Sequence, residues 1–171
     1  MFRVLAPIAA AVLLSACASA PSGPSASAQL QPTRGNTTSG EVRFTQQGDK
    51  VIVTGEVRGL KPHGEHGFHI HDKGDCSSGD GMSTGGHYNP WGHMHGAHGH
   101  GEHHAGDLPS LKADANGVAR IDFESSALSV GSGSADVIGH GLIVHRDPDD
   151  FKTQPTGNSG PRLACGVISR N

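Results

Sequence analysis

Hydrophobic and polar residues alternate with period two along most of the chain beyond about Ala28. In EVRFTQ (Glu41 to Gln46), polar or charged neighbours separate Val42 from Phe44. VIVTGEV (Val51 to Val57) sets Val51, Val53 and Val57 on one face. Gly48-Asp49 lies between the two runs and supplies a turn, so together they predict a β-hairpin. HGFHIH (His66 to His71) is another short β run. After a long Gly/His-rich interval comes GVARIDF (Gly117 to Phe123), with Ala119, Ile121 and Phe123 on one side. VIGHGLIVH (Val137 to His145) and RLACGVI (Arg162 to Ile168) follow. No amphipathic helical period stands out beyond the N-terminal segment. Short strands and glycine-rich turns predict an all-β sandwich or barrel. Two segments break the spacing, about Asp72 to Asp107 and about Arg146 to Pro161, and loops of that length are usually functional or disordered.

The N-terminus has a different pattern. Met1 to Ala16 places Arg3 ahead of an apolar run too short to span a bilayer, which reads as a secretory signal peptide. Leu14-Ser15-Ala16-Cys17 has the form of a bacterial lipoprotein signal, with Cys17 as the lipid-bearing first residue. Ordinary cleavage after Ala18-Ser19-Ala20 is the alternative. ASAPSGPSASA (Ala18 to Ala28) shows no hydrophobic periodicity and reads as a flexible spacer. The expected organisation is therefore a signal peptide at 1–16, a tether at 17–27 and one domain at 28–171. Localisation follows: the cell envelope, lipid-anchored and facing the periplasm, or soluble in the periplasm if the second cleavage is used.

Composition sharpens this picture. At 171 residues the chain is long enough for one domain with a real core. With 26 glycines and only 4% aromatic residues, a turn-rich β protein is favoured over a helical bundle. A net charge of −3 with no basic block argues against nucleic acid as a partner. Apart from Cys17 the cysteines are Cys76 and Cys165. In an exported chain such a pair reads as one disulfide, the alternative being two buried thiols. A bridge would close a loop of about 90 residues and stabilise by up to about 4.6 kcal/mol through chain entropy.

The chemistry lies in the histidines. Seven of the 13 fall between residues 85 and 107. A lone histidine is ordinarily a surface or core residue. An HxH on a strand, followed by a His-dense loop that ends in Asp, asks for more. His69 and His71 are two apart on a strand and share a face, and His145 ends another strand. Imidazoles converging on a barrel wall suit copper or zinc. His87, His95 and His104 precede Asp107, and three imidazoles with one carboxylate make a closed tetrahedral zinc set.

GFHIH, GGHYNP, HHAGDLP, GLIVH and GNSGPRLACGVI resemble the copper/zinc superoxide dismutases in their exported bacterial form, over about Ala28 to Ile168. The resemblance implies an eight-stranded Greek-key β-barrel, an immunoglobulin-like sandwich with two long functional loops. It implies copper held by His69, His71, His87 and His145. It implies zinc held by His87, His95, His104 and Asp107, with His87 bridging the two metals as an imidazolate. His95 rather than His93 follows from Gly96 and the family's spacing, and His104 rather than His103 from the HxGD pattern. The resemblance further implies that Asp149 links a copper-ligand histidine to a zinc-ligand histidine. Arg162 would sit beside the copper, His66 would be structural, and Cys76 would pair with Cys165.

The activity implied is dismutation of superoxide to dioxygen and hydrogen peroxide, with Arg162 and His87 as the catalytic residues. Copper would carry the electron and zinc would hold the bridging ring. The substrate would be superoxide, the membrane would be reached through Cys17, and a homodimer is left open. A copper- or zinc-scavenging lipoprotein on the same fold is the alternative, though a pure metal carrier has no use for Arg162 or a bridge. His63, His93, His98, His100, His103 and His140 are surplus. Those in the loop are expected to be exposed, either as plain polar surface or as a metal-capture patch. Arg146 either pairs with Asp147 or Asp149 or adds positive charge near the substrate channel.

Overall fold

The computed structural model describes residues 23–171. The expected signal peptide, Cys17 and most of the expected tether lie outside the described residues. Ten strands follow in chain order: β1 (Ser25–Pro32), β2 (Ser39–Gln47), β3 (Lys50–Arg58), β4 (Glu65–His66), β5 (Phe68–His71), β6 (Leu111–Lys112), β7 (Ala119–Ser125), β8 (Gly141–His145), β9 (Arg162–Val167) and β10 (Ser169–Arg170). The only regular helical element among the described residues is a single 3₁₀ turn, Met82–Thr84.

The strands form one curled antiparallel sheet in the order β5-β8-β9-β1-β2-β3-β7, with β10 on the edge of β1. A short ribbon of β4 and β6 stands between its two ends. β4 runs almost directly into β5, and β6 lies against β7. The sheet thus curls into the β-barrel implied above.

Period-two alternation explains the core. Val42 and Phe44 of β2 and Val51, Val53 and Val57 of β3 are all buried. The hairpin pairs Phe44 with Val53 and closes Gln47 against Lys50, with Gly48 at φ 61° in the turn. In β5, Phe68 and Ile70 point into the core, and in β8 Leu142 and Val144 do the same. Both strands are buried on both faces, because the two long loops cover the outer one. His69, His71 and His145 occupy that outer face.

Two boundaries differ most from expectation. β1 begins at Ser25, so Ser25 to Ser27, assigned above to the tether, are strand. Ala26, Ala28 and Leu30 are buried in alternation, and β1 runs between β2 and β9. Alanine carries the apolar face there, which a hydrophobicity reading takes for a spacer. The strand expected over Val137 to His145 begins only at Gly141. Gly139, at φ 85°, and a bond from the His140 N–H to the Val137 carbonyl make the preceding residues a turn.

Candidate metal centre

The loop from Asp72 to Ser110 is zipped along the free edge of β5. The Ile70 N–H donates to the Gly106 carbonyl, the Tyr88 N–H donates to the Ile70 carbonyl, and the Gly106 N–H donates to the Tyr88 carbonyl, all at 2.9 Å. This backbone pairing sets His87 opposite His71 and Asp107 opposite His69. Residues far apart in sequence thereby become cross-strand neighbours.

Two sets of buried donors result. One is His69, His71, His87 and His145. The other is His87, His95, His104 and Asp107. Within each set, the donor atoms all lie within 4.8 Å of one another. His87 belongs to both. Its Nδ1 is 2.8 Å from Asp107 Oδ1, while its Nε2 is buried and has no hydrogen-bond partner.

The remaining rings are oriented from behind. His71 Nδ1 donates to the Gly85 carbonyl at 2.8 Å, and His145 Nδ1 donates to the Gly160 carbonyl at 3.1 Å. Their Nε2 atoms then face each other at 3.4 Å. Asp149 takes the Nε2–H of His69 at 2.7 Å on one oxygen and that of His95 at 2.9 Å on the other. It therefore ties a ring of the first set to a ring of the second. His69 Nδ1 is left buried and without a partner. Asp107 Oδ2 accepts the Gly96 and His104 N–H groups, which aims Oδ1 at His87 and His95.

The donors fit the implied metals. Buried polar atoms are ordinarily satisfied, and an unpaired imidazole nitrogen in such a cluster is what a bound cation accounts for. The first set offers nitrogen only, which suits copper. The second offers three nitrogens and one carboxylate oxygen, a closed zinc set. Burial and the neighbouring ring His87 hold His71 well below the usual imidazole range. Burial also lowers His87 to about 4 and His145 to about 3. All three therefore present neutral lone pairs at neutral pH. Burial acts in the same direction on His95, but hydrogen bonds to Asp107 and Asp149 outweigh it and raise His95 to about 9. Burial would raise the Asp107 carboxyl, yet hydrogen bonds from His104, His87 and His95 hold it well below the ordinary range.

A match to the model of the family described as copper/zinc superoxide dismutase extends over residues 38–168. The chain belongs to the copper/zinc superoxide dismutase family. Among solved structures it is similar to a crystal structure of the clock protein EA4. The two are 41% identical with a TM-score of 0.77, over 86% of this chain and 96% of that one. The family match begins within a residue of β2, so β1 precedes the matched span.

Within this dismutase fold, Arg162 opens β9 and reaches across to the loop. Its Nη1 donates to the Gly81 carbonyl and, at 2.7 Å, to Thr84 Oγ1. Its Nη2 donates to the Gly85 carbonyl at 2.7 Å. The same Gly85 carbonyl holds His71, and the guanidinium charge contributes to lowering both His71 and His145. Cys76 and Cys165 form a disulfide that ties this loop to β9. His66 Nδ1 donates to the His145 carbonyl at 3.0 Å. Arg146 pairs with Asp147 at 2.9 Å, leaving Asp149 to the histidines.

The surplus loop histidines divide. His93 and His100 are exposed, but His98 and His103 are half-buried, contrary to the expectation that all four are exposed. His98 Nδ1 donates to the Asp107 carbonyl at 2.9 Å, and its ring packs edge-on against Phe123. His103 Nδ1 donates to the His104 carbonyl at 2.7 Å and its Nε2 accepts the Gly99 N–H. No third cluster of metal-ligating residues appears among the described residues. Sequence reasoning missed Thr84 and Gln154, since neither carries a local motif.

Proposed function

We propose that the protein dismutes superoxide, turning two superoxide ions and two protons into dioxygen and hydrogen peroxide. One observation carries this reading: His87 offers one ring nitrogen to each donor set. Copper held by His69, His71, His87 and His145 would alternately accept and donate one electron, while zinc held by His87, His95, His104 and Asp107 would fix the loop. His87 Nε2 then serves as the atom that holds a proton and gives it up. Two cations sharing the ring would make loss of its second proton possible near neutral pH, which a lone neutral imidazole does not allow. Arg162 places a fixed positive charge beside the first set. Three of its N–H groups are committed to Gly81, Thr84 and Gly85, which leaves an Nη2–H and the Nε–H for a small anion. Thr84 and the Gly81 and Gly85 carbonyls keep that guanidinium from swinging away.

A metal-holding protein without catalysis is the rival reading, and the name of the clock protein EA4 keeps it in view. Metal content and superoxide consumption of the purified protein decide between the two. The dismutase reading expects bound copper and zinc and rapid superoxide loss. It also expects Arg162→Ala to lower the rate by about tenfold or more with copper content unchanged. Fully loaded protein that consumes no superoxide would sink it.

We also propose export and a lipid anchor at Cys17, supported by the Leu14-Ser15-Ala16-Cys17 pattern. Detergent partitioning of the wild type against Cys17→Ala tests the anchor. A wild-type protein wholly in the aqueous phase would reduce it to a soluble periplasmic enzyme.

A further inference from the structure

Gln154 lies at the tip of the 146–161 loop and is itself largely exposed. Its side-chain amide nevertheless meets both polar groups of the His95 backbone. The His95 N–H donates to Gln154 Oε1 at 2.9 Å, and Gln154 Nε2 donates to the His95 carbonyl at 2.9 Å. A primary amide carries a donor and an acceptor side by side, as a strand partner does. Both are used on one residue, 59 positions away in sequence.

His95 is where the two long loops meet. Its Nδ1 faces Asp107 and its Nε2 donates to Asp149. The tip of the 146–161 loop is otherwise closed on itself. Asp150 accepts from the Lys152 and Thr153 N–H groups and from Thr153 Oγ1. The Gly157 N–H donates to the Thr153 carbonyl, and the Asp150 N–H donates to the Gly157 carbonyl. Gly157 stands so close behind the pair that a Cβ there would run into Asp149 Oδ1 and His95 Nε2. A tip so cross-linked is placed as a unit by a few attachments. Asp149 reaches the His95 ring and not its main chain. The amide clamp fixes the His95 main chain.

We propose that Gln154 is a positioning residue for the zinc set. By clamping the His95 backbone it holds the 146–161 loop in the register that puts Asp149 between His69 and His95 and aims His95 Nδ1 at the zinc donors. The proposal rests on the zinc reading of that set. Of the first set, His69 leans on Asp149, but His71 is held by Gly85 of the other loop and His145 by Gly160 at the base of the 146–161 loop next to β9, so loss of the clamp at the tip falls first on zinc.

The test uses the full-length, metal-loaded protein. Gln154→Ala is expected to release zinc to a chelator roughly tenfold faster than wild type, with copper retention changed by less than about twofold. Cobalt(II) in place of zinc reports the ligand geometry directly, and its visible absorption should change in Gln154→Ala. Gln154→Glu keeps the acceptor for the His95 N–H but loses the donor, so it should fall between. Wild-type release rates and cobalt spectra in Gln154→Ala would overturn the proposal. So would an equal loss of thermal stability in metal-free and loaded Gln154→Ala, since the clamp would then serve general stability. A wild-type protein that takes up neither zinc nor cobalt(II) would overturn the zinc reading, and this proposal with it.

Discussion

His87 is the residue on which the two donor sets depend, and its neighbours show why an imidazole is needed there. A carboxylate could bridge two cations, but it takes up a proton poorly at neutral pH, whereas an imidazole nitrogen freed from one cation can take one. His87 stands in both donor sets, with Nδ1 beside Asp107 and Nε2 buried without a partner. His87→Ala should leave the barrel folded, since His87 stands in the loop beside β5 and the apolar core is built from other residues. It should lower dismutation by about a hundredfold or more and alter the copper absorption. A variant with wild-type rate and spectrum would remove the bridging role. This residue was legible in sequence, as was each other donor type. The choice of His95 over His93 was not legible from pattern alone and rested on resemblance. In the fold, Gly96 and His104 grip Asp107 and turn His95 inward, while His93 stays exposed.

At the scale of elements, the two long loops are not free-standing covers. The first is zipped to β5 and tied to β9 by Cys76–Cys165 and Arg162. Part of its apparent excess of histidine has a physical origin. His98 and His103 serve as internal struts of the loop, satisfying backbone groups that sheet hydrogen bonds do not reach. His93→Gln with His100→Gln should therefore leave stability, metal content and the rate of copper uptake by the metal-free protein at wild-type values. His98→Ala or His103→Ala should each lower thermal stability by about 1 kcal/mol through lost hydrogen bonds. Slower metal uptake in the His93/His100 double variant, at unchanged stability, would restore a capture role for the exposed pair.

For the whole molecule, the opposed titrations predict the pH dependence of the metal-free protein. His71, His87 and His145 bind protons less readily in the fold than in the unfolded chain, where imidazole titrates near 6.5. As pH falls below about 6.5 the unfolded chain takes up protons that the fold refuses, so stability falls toward pH 4. His95 has the opposite sign. Its contribution is complete below about 6.5 and is lost as pH rises through about 9. Thermal unfolding of metal-free protein between pH 4 and pH 10 should show a maximum near 6.5. Stability that climbed steadily from pH 6 to pH 9 would contradict the raised proton affinity of His95.

The sequence by itself determined the β class, the β2–β3 hairpin, the two long loops and the histidine-rich chemistry of the site, while the choice among the loop histidines came from the family resemblance. Those properties depend on alternation, turn residues and side-chain chemistry, all of which are local. It misplaced the start of β1, because alanines bury too little surface to register as a strand face. Only the tertiary structure decided which nitrogen of each ring faces which set, and which groups hold it there. Asp149, the Gly85 and Gly160 carbonyls, Arg162 and Gln154 act on residues brought to them by loop closure. Hydrogen bonds between residues 14 to 81 positions apart leave no periodic trace in the chain.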